Sequence, residues 1–265
     1  MLLVWTNSKN EQIVLPQENK YILNGWSGFS SIAQTLNTEK APGQFGSSII
    51  NQSFENRALN IQFTTLGNNR QQVFESRREV IDLFNPTKKK GMLTWIQNDG
   101  TEYSIECYVE NLEMPSGDGR GNTFQEVQLD FLAEDPRWFQ SEITEELNLG
   151  NNLIVNNGDT ETALEIRFKG PMTNPVLKNN NTGEKIQIVK DISAQEEVIV
   201  KTDFGKKEII LINADNSKSR AMNLMSYDSI LFNLQSDNTL LEFEANNMTA
   251  ESLAEIKYRE RFIGV

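Results

Sequence analysis

The sequence predicts a mostly β protein of two domains, and three observations carry that reading. Segments of period-two alternation recur along the whole chain, separated by clusters of Asn, Asp, Gly and Ser, the pattern of half-buried strands and their turns. One stretch alone, residues 70–84, has helical periodicity. A chain of 265 residues is long for one core, so two units are expected, taken as residues 1–140 and 141–265.

The elements follow in order. Residues 1–6 and 12–15 flank Asn7-Ser8-Lys9-Asn10 and read as a hairpin. Residues 20–24 are a further short strand. Residues 37–48 lack periodicity and read as a long loop, a length that in a compact domain points to a functional or interfacial role. The Pro-Gly-Gln-Phe content of this loop suits an arm reaching a neighbouring copy, with Phe45 as its anchor. Residues 54–65 resume strand character through Phe54, Leu59, Ile61 and Phe63.

In the predicted helix, Val73, Phe74, Val80, Ile81 and Phe84 form one stripe. Asn68 or Asn69 caps its start, Asn85-Pro86 stops it, and Lys88-Lys89-Lys90 reads as a solvated turn. Residues 95–103 form a hairpin whose Asp99-Gly100 supplies positive φ angles. Residues 116–122, rich in glycine, form another turn. Val127, Leu129, Phe131 and Ala133 then alternate with Glu126, Gln128, Asp130 and Glu134 until Pro136 stops the strand. Trp138 and Phe139 are apolar anchors just past that stop, before a polar stretch at 140–152.

In the second half, residues 163–168, 175–178, 185–189, 197–200, 208–212, 230–234, 239–243 and 254–262 read as short strands. Turns at Asn180-Asn181-Thr182-Gly183 and Asp203-Phe204-Gly205 separate some of them. This spacing predicts a two-sheet sandwich.

Composition removes most chemistry. The chain has no histidine and one cysteine, which excludes Ser-His and Cys-His catalysis, thiolate-rich metal sites and an internal disulfide. Cys107 shares an apolar strand face with Tyr103, Ile105 and Val109 and reads as a small buried hydrophobe. The net charge is −12, with 12 basic and 17 acidic residues in 1–140 and 13 and 20 in 141–265. Neither half has the basic excess that holds nucleic acid. No apolar run approaches the ~18 residues of a membrane span, and the N-terminus lacks the pattern of a signal peptide. A soluble, unexported protein is expected.

The remaining candidates have ordinary explanations. Gly117-Asp118-Gly119-Arg120-Gly121 resembles a phosphate cradle, but a strand follows it where a helix is required. Asp203-Phe204-Gly205 matches a kinase tripeptide without the rest of a kinase. Glycosylation patterns at Asn51, Asn180 and Asn247 are silent in an unexported chain. Glu242 with Glu244, and Glu145 with Glu146, are carboxylate pairs on solvent faces, with nothing to separate their pKa values. No catalytic, cofactor-binding or metal-ligating residue is assigned.

The seam Asp135-Pro136-Arg137-Trp138-Phe139, then Asn156-Asn157-Gly158-Asp159, Lys169-Gly170 with Asn174-Pro175, and the closing Tyr258-Arg259-Glu260-Arg261-Phe262-Ile263-Gly264-Val265 resemble, in order and spacing, the siphophage distal tail proteins. The resemblance covers essentially the whole chain. It implies a tail-tube-like β-barrel with one flanking helix in residues 1–140 and a galectin-like or carbohydrate-module-like sandwich in 141–265. It also implies a hexameric ring, formed by the first domain, between tail tube and adhesion apparatus, located at the virion tail tip after synthesis in the host cytoplasm. Expected partners are the tail tube protein, a tail-tip protein and receptor-binding or baseplate proteins docked on the second domain. DNA would pass the ring without stable binding, and no membrane is involved.

The alternative is a carbohydrate-binding adhesion module. Its aromatic platforms are scarce, because Trp5, Trp26, Trp95 and Trp138 all precede the sandwich, and Tyr258 lies on an apolar strand face, leaving Tyr227 free.

Overall fold

Strict alternation of buried and exposed side chains places the first strands. The computed structural model describes the backbone of residues 1–265 and every side chain but that of Asp118. Strands β1 (Leu2–Thr6) and β2 (Gln12–Leu15) pair antiparallel, with buried Leu3 opposite Leu15 and buried Trp5 opposite Ile13. There follow β3 (Tyr21–Ser27), β4 (Gln34–Glu39), β5 (Ser48–Phe54), β6 (Arg57–Leu66), α1 (Arg70–Leu83), β7 (Gly91–Ile96), β8 (Glu102–Glu113), β9 (Phe124–Ala133) and β10 (Trp138–Phe139). The main sheet of this part runs β2-β1-β7-β8-β9-β6-β3.

Strand β8 serves both halves of that sheet. Its first residues pair with β7 as far as Cys107, its last pair with β9 from Tyr108, and a bulge between Val109 and Asn111 interrupts the β9 pairing. A bulge bends a strand and increases its twist, which lets one strand turn the sheet around a core. That core is aromatic: the Trp5 ring centroid lies 5.0 Å from Phe131 and 6.0 Å from Phe84, and Phe63 lies 6.3 Å from Phe84. Helix α1 packs on β6 and β9. Its start is capped by the Asn69 side chain, whose Oδ1 accepts from the Gln72 amide at 3.0 Å.

The rest of the chain continues with β11 (Ile143–Glu146), β12 (Gly150–Asn156), β13 (Glu165–Lys169), β14 (Met172–Asn179), β15 (Lys185–Gln187), β16 (Asp191–Ile192), β17 (Glu197–Lys201), β18 (Glu208–Ile212), β19 (Lys218–Arg220), β20 (Asp237–Asn246), β21 (Leu253–Tyr258) and β22 (Arg261–Phe262). One sheet runs β11-β21-β13-β17-β18-β19 and the other β12-β20-β14-β15, with β16 on β14. Ile166, Phe168, Val198, Val200 and Ile256 from the first meet Ile154, Leu177, Leu241 and Phe243 from the second in one buried cluster. Phe168 and Phe243 stack across it at 5.9 Å and 15°. The fold is therefore mostly β, with α1 the one α-helix among the described residues. No described helix is long and apolar enough to cross a membrane.

The chain divides into two units, Met1–Phe139 with Ile263–Val265, and Gln140–Phe262. The last three residues, read from sequence with the second half, thus join the first.

Several readings of local structure are corrected. Residues 37–48 are not one long loop: β4 and β5 form a hairpin around residues 40–47, and Phe54 ends β5 rather than starting β6. In α1 the buried residues are Val73, Val80 and Leu83, whereas Phe74 and Ile81 are exposed. Only Gly100 of the Asp99-Gly100 pair has positive φ, at 90°. The Gln97 amide bonds the Thr101 carbonyl, so this turn is longer than the tight type expected. The polar stretch 140–152 holds β11 and part of β12. Residues 230–234 form no strand and contribute one bridge, from Leu234 to Thr162.

Candidate assembly surface

The chemical candidates resolve into structural contacts. Glu242 pairs with Lys178 at 3.4 Å, and Glu145 accepts from the Tyr258 hydroxyl at 3.0 Å. Cys107 is fully buried, and burial pushes its thiol pKa far up, opposite to what a nucleophile needs. The glycine-rich residues 117–121 lie in the β8–β9 connection, as expected of a hairpin tip. Among the described residues no His, Cys, Asp or Glu cluster could hold a metal ion.

The motifs that carried the family resemblance are built for chain geometry. Asn156 is buried and donates to the carbonyls of Thr160 and Gln235 at 3.1 and 3.0 Å. Glu260 accepts from both the backbone and side-chain nitrogens of Asn157, at 3.0 and 2.7 Å. A Cβ on Gly158 would meet the Arg261 amide at 2.6 Å. At the seam, Asp135 takes a fork of two bonds from Arg137 at 2.8 and 2.9 Å. Trp138 is fully buried, 5.2 Å from Phe29.

The surface that stands apart is the β4–β5 ribbon. Every residue of both strands is exposed, including Leu36, Ile49, Ile50 and Phe54, and Phe45 at the tip is fully exposed. Among the described residues neither strand pairs with the main sheet. The tip is well formed: Ala41-Pro42-Gly43-Gln44 closes with a 3.1 Å bond from the Gln44 amide to the Ala41 carbonyl, with Gly43 at φ 81°. Pro followed by a positive-φ Gly is the signature of a type II turn. A lone two-stranded hairpin is marginal in water. Covering each large apolar side chain would contribute about 1.5–3 kcal/mol.

The ribbon grows from a tightly built root. Arg57, which opens β6, is 3% exposed and points inward with Leu59, Ile61 and Phe63. Its guanidinium donates to the carbonyls of Pro136 at 2.6 Å, Gly28 at 2.5 Å, Ser31 at 3.3 Å, and Ile263. No carboxylate pairs with it among the described residues, and desolvation lowers its pKa to about 10. It remains a cation at neutral pH, held by carbonyl dipoles and lying 6.0 Å from the Trp138 ring. Gly28 has φ 86°, and a Cβ there would meet the Ala58 carbonyl oxygen at 2.1 Å. Phe29 packs 5.2 Å from Trp95. Sequence reasoning missed Arg57; its place on the inward phase of the Leu59, Ile61, Phe63 alternation was the available signal.

Residues 8–133 match a phage tail protein RIFT-related domain, and residues 157–262 match the C-terminal domain of siphovirus-type tail components. No curated protein matches in sequence. The crystal structure of the Dit protein of phage SPP1, described as a paradigm of the hub adsorption apparatus in phages infecting Gram-positive hosts, is similar with a TM-score of 0.74 at 16% identity over 98% of both chains. A chain of the phage P2 baseplate in its activated, calcium-bound conformation is similar with a TM-score of 0.57 at 12% identity, over 100% of this chain and 99% of that one.

Proposed function

The chain belongs to the siphophage distal tail protein family, and on that footing we propose that it is the structural hub of a phage tail tip. Copies join through the first unit into a ring that continues the tail tube, passes DNA, and gives the receptor-binding or baseplate proteins a platform on the second unit. The observation that carries this reading is the β4–β5 ribbon, a formed hairpin with apolar side chains and no buried face. A ring closes only when one patch of each copy meets a different patch of the next. The ribbon is a donor of that kind, and Phe45 at its tip is the anchor expected of an arm.

The work is positional rather than catalytic. With 12 basic against 17 acidic residues in 1–140, the wall of the ring carries no surplus cations to hold phosphates. Light scattering on the purified chain tests the reading. A particle of about six chains is expected; a monomer throughout a concentration series overturns it. Tight, salt-sensitive duplex binding near physiological ionic strength also counts against it.

A further inference from the structure

The segment Ile263–Val265 folds onto the first unit, and its contacts fall on Phe29, Ser30 and Arg57 at the root of the ribbon. The Ile263 carbonyl accepts from Arg57, which also holds the carbonyls of Gly28 and Ser31. A Cβ on Gly264 would lie 2.0 Å from the Ser30 carbonyl oxygen, so the segment sits flush against that backbone. The Val265 amide donates to the Phe29 carbonyl at 3.1 Å. The segment thus covers Phe29 and Ser30 while Arg57 holds Gly28 and Ser31 on either side, three residues before β4 begins at Gln34. Arg57 itself lies three residues after β5 ends at Phe54.

We infer that Ile263–Val265 is a latch that holds the root of the β4–β5 ribbon in its assembly-competent conformation, with Arg57 as the positioning residue. The ribbon buries no face of its own, so its orientation is set where it is rooted. A buried guanidinium without a carboxylate is stable only while its carbonyl acceptors are in place. One of them, Ile263, follows the whole of Gln140–Phe262 in sequence. The arm is therefore synthesised early and its latch only after the second unit. A chain that has not completed the second unit carries a ribbon with a loose root, which keeps unfinished copies out of the assembly. A chain of residues 1–140 lacks the latch as well.

The assembly part of this inference rests on the hub reading; the local part does not. The test uses full-length Gly264→Val, which drives a side chain into the Ser30 carbonyl, and Arg57→Lys, which keeps the charge and loses the fork. Hydrogen exchange at residues 28–36 and 54–57 should quicken by at least about tenfold in both, while amides of β9 and of the second unit stay unchanged. Ring dissociation should move to higher protein concentration in the same variants. Unchanged exchange at the root in Gly264→Val overturns the latch, whatever happens to the ring. A wild-type chain that forms no ring defeats the hub reading, and exchange at the root then decides the latch alone. Should Arg57→Lys fail to fold, Gly264→Val carries the test.

Discussion

The β7–β8 hairpin and the β4–β5 ribbon are both antiparallel pairs of the first unit, and they differ in what their side chains touch. In β7–β8 the register sets buried Leu93 against buried Ile105, and Gly91 against buried Cys107. In β4–β5 the register sets Leu36 against Gln52 and Thr38 against Ile49, and all four are exposed. Backbone pairing is the same in kind, so hydrogen bonds do not distinguish them. The first hairpin is held by a face it buries within its own chain. The second has apolar side chains with no such face, and on the proposed reading a neighbouring copy buries them.

The largest effect should follow from attacking the buried member. Ile105→Ala removes a fully buried side chain from β8, and a loss of about 2–5 kcal/mol is expected in a denaturant titration of the whole chain. A shift under 0.5 kcal/mol, of the size typical for surface substitutions, would mean that the hairpin is not part of the cooperative core. The matching change in the ribbon is Ile49→Asn with Ile50→Asn, which removes two exposed apolar side chains. Stability of the separated chain should change by no more than about 0.5 kcal/mol, while the ring is lost. A ring that survives the double change would put the assembly surface elsewhere.

This contrast also explains what was legible in the sequence. Strand β9 was plain because Val127, Leu129 and Phe131 alternate with polar neighbours, and the structure buries those three. The ribbon read as a loop because a strand without a buried face has no alternation to see. Strand β11 was hidden at a sheet edge, and β12 because exposed Leu153 and Val155 flank buried Ile154, which turns its alternation into an unbroken apolar run. Periodicity also does not say which of two adjacent stripes turns inward. Phe74 and Ile81 lie beside Val73 and Val80, and only the latter pair is buried. Of the candidate surface, Phe45 was legible through its neighbours Pro42 and Gly43, whereas the latch was not. Its meaning depends on four carbonyls distant in sequence meeting one arginine.

An intermediate effect should appear where an edge strand has been tied down within its own unit. Among the described residues strand β11 pairs only with β21, and the buried Tyr258 hydroxyl donates to Glu145 of β11 and to the Val155 carbonyl of β12, each at 3.0 Å. Burial, then the Glu145 carboxylate, raise the Tyr258 pKa well above the ordinary value of about 10. A raised folded value means that the unfolded chain gives up this proton first. The stabilisation is therefore complete below about pH 10 and is lost as pH rises above it. Tyr258→Phe should cost about 1.5 kcal/mol at neutral pH and flatten the alkaline fall of stability. An alkaline limb identical to wild type would show that another group drives it.

The smallest effect gives the sharpest comparison, because one chemical change can be placed in both hairpins. Gly100, in the β7–β8 turn, and Gly43, at the ribbon tip, have φ values of 90° and 81°, and a Cβ at either would meet no atom within 4 Å. Alanine at each position therefore brings only the strain of a left-handed residue, about 1–2 kcal/mol. In Gly100→Ala that strain bears on a hairpin welded to the core, so it should appear in full in the unfolding free energy. In Gly43→Ala it bears on a ribbon free to fray without unfolding the rest, so the separated chain should unfold as wild type does. The strain should surface instead in the ring, whose dissociation would move to higher protein concentration. Equal losses of chain stability in the two variants would show that the ribbon is already part of the cooperative fold of a single copy. The need for a neighbour to bury it would then disappear.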